Sequence, residues 1–72
     1  MKGNFIYQRL GERLLSEREK KRLSQEQLGL ISDVDRTYIA RIENGRVNPS
    51  MRILHKIARA LRIKLSQLLK GV

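Results

Sequence analysis

The feature that most constrains the fold of this 72-residue chain is the helical spacing of its apolar residues. Ile6, Leu10 and Leu14 follow one another at intervals of four, as expected for one face of a helix. A second stripe near the carboxyl end consists of Leu54, Ile57, Ala58 and Leu61. No useful length of alternating apolar and polar residues predicts a strand, and helices this short are stable only when they pack on one another. The sequence therefore predicts a compact all-α fold.

Capping signals divide the chain into five predicted helices. Ser24 and Gln27 have the spacing of a capping box, and Asp35 and Ser50 are suitable N-caps. Gly45 is expected to end a helix in the left-handed conformation. The predicted helices are, in chain order, about 5–21, about 25–32, a third that ends at Asn44, a fourth that begins after Ser50, and about 66–70.

The second and third predicted helices form a helix-turn-helix candidate between Gln25 and Asn44. Gly29 would allow the two helices to cross closely, and Asp33 would take the positive φ that the turn requires. The expected inward-facing residues are Leu28 and Ile31 on the second helix, Val34 in the turn, and Ile39 and Ile42 on the third helix.

The opposite face of the third helix has the chemistry of a base-reading surface. Its residues are Arg36, Thr37, Ala40, Arg41 and Asn44. Arginine can bond the O6 and N7 atoms of guanine, and threonine or alanine can contact the methyl group of thymine. We therefore expect this face to enter the major groove of double-stranded DNA.

The charge is concentrated in the carboxyl-terminal half of the chain. Residues 1–35 carry seven Lys or Arg and six Asp or Glu, whereas residues 36–72 carry nine Lys or Arg and only Glu43 as an acid. The overall charge of +9 indicates a polyanionic partner. A non-specific binder of RNA or of a membrane surface is disfavoured, because the basic residues are interleaved with a core pattern.

The composition excludes several classes of site. The chain has no cysteine, which excludes disulfides and thiolate zinc sites, and His55 is its single histidine. No general acid–base pair or metal site can be assembled from these residues, so we expect no enzyme activity, no metal and no cofactor. No apolar run approaches the roughly 18 residues of a membrane span. We expect a cytoplasmic, nucleoid-associated protein with no membrane partner.

Four spaced motifs make the sequence resemble the Cro/phage-repressor-like helix-turn-helix family, often called XRE. They lie at residues 23–28, 38–45, 48–50 and 54–61. The resemblance covers about residues 9–70 and implies a five-helix domain that binds operator DNA as a dimer, with the third helix in the major groove. Residues 35–39 are also similar to the recognition helix of restriction-modification controller proteins. We expect residues 1–72 to form one such domain, with its core at about 5–70.

The resemblance also implies roles for individual residues. Arg36 and Thr37 match base-reading positions, and Arg41 matches a position used for bases or phosphate. The residues that match backbone-contacting positions are Gln25, Asn44 and Arg46. Arg18 and Glu43 match a pair that bridges the first and third helices.

Two residues are further candidates for contact with the DNA backbone. Each has an alternative: Tyr38 as an aromatic residue at the edge of the core, and Arg52 as part of a solvated basic face of the fourth helix. Tyr38 can pack its ring on the core and hold its hydroxyl near a phosphate. Arg52, near the start of the fourth helix, is the best candidate there for a phosphate contact.

Several residues depart from the family's pattern. Arg22, Asp33 and Arg62 stand where glycine is usual at helix ends, at a cost of up to about 1 kcal/mol each if the backbone is left-handed. Glu17 stands where leucine is usual, while Leu15 is apolar at a usually polar position. The first helix is therefore expected to be slightly rotated, or Leu15 to join an interface.

The end of the chain is the candidate homodimer interface. Its residues are Leu65, Leu68, Leu69 and Val72. Core packing is the default expectation for Leu65 and Leu68, whereas a two-fold seam that involves Leu69 and its neighbours is at least as well favoured as further core packing. An alternative function is an antitoxin-type module that binds a protein partner and binds DNA secondarily.

Overall fold

The computed structural model describes residues 2–72, with side chains from Phe5 onward. The helices are α1 (Lys2–Lys20), α2 (Gln25–Ser32), α3 (Arg36–Glu43), α4 (Met51–Leu61) and α5 (Leu65–Leu68). The described residues contain no strand, which confirms the all-α prediction. Helix α1 begins three residues earlier than predicted, and α5 is a single turn that starts at Leu65 rather than Ser66. None of these helices is long and apolar enough to cross a membrane.

The core is aliphatic and draws on all five helices. Its buried members are Leu10, Leu14, Leu28, Val34, Ile39, Ile42, Leu54, Ile57, Ala58, Leu61 and Leu68. Tyr38 is half-buried and packs against this core. Helix α3 is in contact with both α1 and α2, so the other helices hold its inner side against the core.

Two apolar residues predicted for the inner faces are exposed instead. Ile31 is 58% exposed and Ile6 is 46% exposed. Helix α2 buries Leu28, Gly29 and Ser32, which turns Ile31 outward. The prediction for Ile31 was wrong because the side of α2 that meets its neighbours is centred close to Gly29, and the apolar stripe alone does not show that.

Two glycines lie where another segment of the chain comes very close. A Cβ atom on Gly29 would lie 2.7 Å from the carbonyl oxygen of Val34, as expected for the crossing of α2 and α3. A Cβ atom on Gly11 would lie 2.4 Å from the carbonyl oxygen of Ile42 and 2.5 Å from that of Glu43. The chain therefore relies on Gly11 to bring α1 against α3, a role that the helical pattern does not indicate.

The helix ends follow the predicted capping chemistry. The Ser24 hydroxyl accepts from the Gln27 backbone N–H at 3.0 Å, and the Gln27 side chain accepts from the Ser24 N–H at 2.8 Å. Arg22, Asp33 and Arg62 have φ values of 58°, 59° and 59°. All three residues that replace a usual glycine are therefore left-handed, and each incurs the expected conformational cost.

Glu17 is buried on the inner side of α1, where the family pattern has leucine. Its side chain is 2% exposed, forms an ion pair with Arg13 at 2.9 Å and accepts from Lys20 at 3.4 Å. Leu10 and Leu14 are buried on the same side, so α1 is not rotated away from these residues as one of the two expectations had it, and Leu15 is half-buried. The two cations balance the carboxylate, which is the condition for a charge to be tolerated inside a protein.

Candidate nucleic-acid interface

Helix α3 has a buried side and an exposed side. Ile39 and Ile42 are completely buried. Arg36, Thr37 and Arg41 are exposed. Ala40 is half-buried between these residues, where its small side chain leaves the surface open. The structure thus brings together on one surface the four residues predicted to read bases.

Asp35 caps the start of α3 and orients Thr37. Its carboxylate accepts from the Thr37 backbone N–H at 2.9 Å and also from the Thr37 hydroxyl. The side-chain bond from Thr37, followed by the backbone bond, lowers the pKa of Asp35 below its usual value. Because the Thr37 hydroxyl hydrogen is donated to Asp35, its methyl group and oxygen lone pairs are what Thr37 presents outward.

Arg36 forms only a weak contact within the chain. Its guanidinium lies 3.7 Å from the Glu26 carboxylate, and both side chains are about two-thirds exposed, at 67% and 68%. An exposed pair at this distance contributes little free energy. Arg36 is therefore held near the surface of α2 and is easily released to another acceptor.

A surface depression connects α3 with the start of α2. Its lining residues are Ser24, Gln25, Glu26, Arg36, Thr37 and Ala40. The predicted phosphate-contacting glutamine thus lies on the same surface as the predicted base-reading residues. Backbone N–H groups at the start of α2 add a partial positive charge there.

Arg18 and Glu43 form a bidentate ion pair beneath this surface. Arg18 Nε donates to Glu43 Oε2 at 2.7 Å, and Arg18 Nη2 donates to Glu43 Oε1 at 3.0 Å. The hydrogen bond to Glu43 raises the pKa of Arg18. Arg18 Nη1 donates to the Leu23 carbonyl oxygen at 2.8 Å, which also ties the loop before α2 to α1.

Gln25 belongs to the same hydrogen-bonded group. Its Nε2 atom donates to Glu43 Oε1 at 2.8 Å. Sequence reasoning missed this bond, and it also missed the contact between Glu26 and Arg36, because each joins residues on different helices. Gln25 and Glu43 are 18 positions apart in the sequence, and Glu26 and Arg36 are 10 apart. No local sequence pattern indicates a contact between residues at these separations.

The remaining predicted backbone-contacting residues keep part or all of their surface exposed. Asn44 caps the carboxyl end of α3 and is exposed, as are Arg46 in the following loop and Arg52 in the first turn of α4. Tyr38 packs its ring on the core, as expected.

His55 is an exposed residue of α4. Within the described residues, no three His, Cys, Asp or Glu side chains come together as metal ligands.

The four candidate dimer residues are not equivalent. Leu65, Leu69 and Val72 are half-buried and keep part of their apolar surface. Leu68 is completely buried inside the chain. It has no surface to offer to a second copy, so the candidate dimer seam does not include it.

Comparison with known proteins places these features in a family. The helix-turn-helix family matches residues 14–68, which include α2, α3 and α4 in full. The chain belongs to the XRE-type helix-turn-helix family. The XRE-type family is one of DNA-binding transcription regulators. The predicted resemblance is therefore confirmed.

Several relatives of this XRE-type chain are controllers and repressors. The control protein C.MunI of Mycoplasma sp is 44% identical over 70 residues, which span 96% of this chain and 95% of C.MunI. The immunity repressor of Bacillus phage phi105 is 39% identical over 57 residues, which span 79% of this chain but 40% of the repressor.

A solved structure shows the same similarity in three dimensions. The restriction-modification controller protein C.AhdI from Aeromonas hydrophila superimposes with a TM-score of 0.85 at 39% identity, covering 86% of this chain and 94% of C.AhdI. The five-helix architecture of this XRE-type chain is therefore shared with a controller protein over nearly the whole of both chains.

Proposed function

We propose that this chain is a sequence-specific transcriptional regulator of the controller type, which binds a palindromic operator as a homodimer with α3 in the major groove. One observation carries the proposal. Arg36, Thr37 and Arg41 are exposed on α3, while Ile39 and Ile42 on its other side are completely buried. The core thus fixes the helix, and the reading side remains free for DNA.

Each residue of the reading side has a distinct task. Arg36 leaves its weak contact with Glu26 and donates two hydrogen bonds to a guanine. Thr37 contacts a thymine methyl group, because its hydroxyl hydrogen is already donated to Asp35. Ala40 allows the bases to approach closely, and Arg41 contacts a base or a phosphate one turn further along.

Contacts with phosphates hold α3 in register. They come from side chains around the reading side, namely Gln25, Tyr38, Asn44, Arg46 and Arg52. Residues 36–72 contain nine basic side chains and one acidic one. This field supplies affinity for any DNA sequence and makes binding sensitive to salt.

The half-buried apolar residues at the end of the chain form the proposed dimer interface. Leu65, Leu69 and Val72 form a two-fold seam that places two α3 helices about one DNA turn apart, on the order of 34 Å. Similarity to controller proteins over nearly their full length favours this class of regulator. Residues 1–72 then act as one domain, on DNA in the cytoplasm.

Selection from random DNA duplexes, repeated at several salt concentrations, tests this function. We expect an enriched palindrome at moderate salt. The Arg36→Ala variant should lose about 1–3 kcal/mol at one base position and relax specificity there. The control variant Arg46→Ala should weaken binding to all sequences alike and reduce the salt slope by about one. Failure to enrich any palindrome would show that the proposed function is wrong.

A further inference from the structure

We infer that Arg18 and Glu43 are positioning residues for DNA binding, which act by orienting the side-chain amide of Gln25 toward a phosphate. This inference rests on the proposed function. It assigns to the ion pair a role in binding in addition to its role in joining two helices.

The first support is the number of segments that meet at Glu43. Its carboxylate accepts from Arg18 on α1 through both oxygens and from Gln25 on α2 through Oε1. The same arginine donates to the Leu23 carbonyl oxygen in the loop between these helices. The Arg18 and Glu43 side chains are 12% and 5% exposed, so surrounding groups confine both. The start of α2 is thereby fixed relative to α3.

The second support is the chemistry of the amide. A carboxylate only accepts hydrogen bonds, so Glu43 selects the orientation in which Gln25 turns its NH₂ group inward. The Nε2 atom carries two hydrogens, and the bond of 2.8 Å to Glu43 uses one of them. The second hydrogen remains for an acceptor at the surface, where Gln25 lines the depression beside Arg36.

A phosphate needs this orientation. Phosphate oxygens are acceptors, so a rotated amide that presents its carbonyl oxygen would oppose the phosphate instead of binding it. Without Glu43, the amide would have to be ordered when DNA binds, which costs conformational entropy. The ion pair thus prepares Gln25 before DNA arrives.

A double-mutant cycle in operator affinity tests the inference. We expect Gln25→Ala to weaken binding about tenfold in the wild type, the size of one hydrogen bond to a charged group. In a Glu43→Gln background the same change should cost less than about threefold, because the amide is no longer oriented. The salt slope should not change, since glutamine neutralises no phosphate.

Arg36→Ala is the matched control, because Arg36 contacts Glu26 and lies outside the hydrogen-bonded group of Arg18, Glu43 and Gln25. Its cost should be equal in the two backgrounds. An equal cost of Gln25→Ala in both backgrounds would overturn the positioning role. A parallel fall in the cost of Arg36→Ala would also overturn it, because the effect of Glu43→Gln would then be global.

Nuclear magnetic resonance of the wild type keeps the inference testable if Glu43→Gln does not fold. We expect one Gln25 side-chain amide proton to resonate downfield in the free chain and to stay there in the operator complex, while the second moves downfield on binding. If the proton that is downfield in the free chain loses this shift in the operator complex, the inference is overturned. Arg36→Ala tests the proposed function separately. If it weakens operator binding, the proposed function stands even where the result for Gln25 overturns the positioning role.

Discussion

At the scale of single residues, Gly11 leaves the least room for a Cβ atom among Gly11, Gly29, Gly45 and Gly71. A Cβ atom there would lie within 2.5 Å of two backbone carbonyl oxygens, those of Ile42 and Glu43. Backbone atoms in a helix cannot move aside as a flexible side chain can. Any larger residue must therefore push α1 away from α3, close to the carboxylate that joins Arg18 and Gln25.

We predict that Gly11→Ala destabilises the chain by about 1–3 kcal/mol, the usual cost of overpacking. The sign of this change in stability is diagnostic, because alanine in place of glycine in an unconstrained helix stabilises the helix by about 1 kcal/mol. Urea unfolding measures the free energy. Glu12→Ala is the control on the same helix; Glu12 is exposed, and its replacement should change stability by less than about 0.5 kcal/mol. A stabilising Gly11→Ala would contradict the close approach.

The contrast between Gly29 and Gly11 shows which residues sequence reasoning can interpret. Gly29 was predicted correctly because the helix-turn-helix unit itself demands a small residue where α2 meets α3. The neighbours of Gly11 lie about thirty positions away on α3. Its role depends on how α1 crosses α3, which the periodicity of either helix does not encode. For the same reason the bond between Gln25 and Glu43 was not predicted.

At the scale of helices, α2 and α3 depend on the capping residues that precede them. Each has eight residues, too few to be stable in isolation. Capping signals are local in sequence, and for this reason the capping box of Ser24 and the cap at Asp35 were predicted. The buried side of so short a helix is set by its neighbours instead, and Ile31 was therefore misplaced.

Acidification should weaken the start of α3. The Thr37 hydroxyl and backbone N–H lower the pKa of Asp35 in the folded chain, so the ionised form favours folding. This contribution is complete above the unfolded aspartate pKa of about 3.9 and is lost as the pH falls through the lower folded value.

Thermal unfolding from pH 6 to pH 2 checks this expectation. Asp35→Asn keeps a side-chain acceptor for the cap and does not titrate. We expect the wild type to be more stable than Asp35→Asn near pH 6 and to lose that advantage as the pH falls below about 4. Other carboxylates titrate in both proteins and cancel in the comparison. If the melting temperatures of the two proteins fall in parallel from pH 6 to pH 2, the charge of Asp35 does not contribute to folding stability.

At the scale of the whole molecule, α5 is anchored by charge as well as by its buried leucine. Arg13 pairs with Glu17 at 2.9 Å and also donates to the Gln67 carbonyl oxygen at 3.0 Å. Leu68 fills the core. A helix of four residues is thus held firmly enough to present Leu69 in a fixed position. The sequence predicted an apolar end of the chain, but only the fold shows that Leu68 is buried in the core and that Leu69 keeps part of its surface exposed.

We predict that Leu69→Gln raises the dimer dissociation constant at least tenfold, because a polar group would be buried in the two-fold seam. Sedimentation of the variant across concentrations measures this shift, and operator binding should weaken with it. Leu68→Ala is the contrasting variant; it should cost about 2–5 kcal/mol of folding stability, as is usual for a buried leucine. Sedimentation that matches the wild type would rule out Leu69 as a dimer residue.

The two-sided construction of α3 has a consequence for the evolution of such a regulator. Ile39 and Ile42 hold the helix, whereas Arg36, Thr37 and Arg41 do not enter the core. Substitutions of Arg36 and Arg41 can therefore accumulate with little effect on folding, because exposed positions usually tolerate exchange. Thr37 is more constrained, since its hydroxyl also donates to the helix cap at Asp35. If the exposed side of α3 reads bases, as proposed, descendants of one ancestor can diverge in the DNA they recognise while their interior remains the same. Related controllers can then coexist in one cell without acting on each other's promoters.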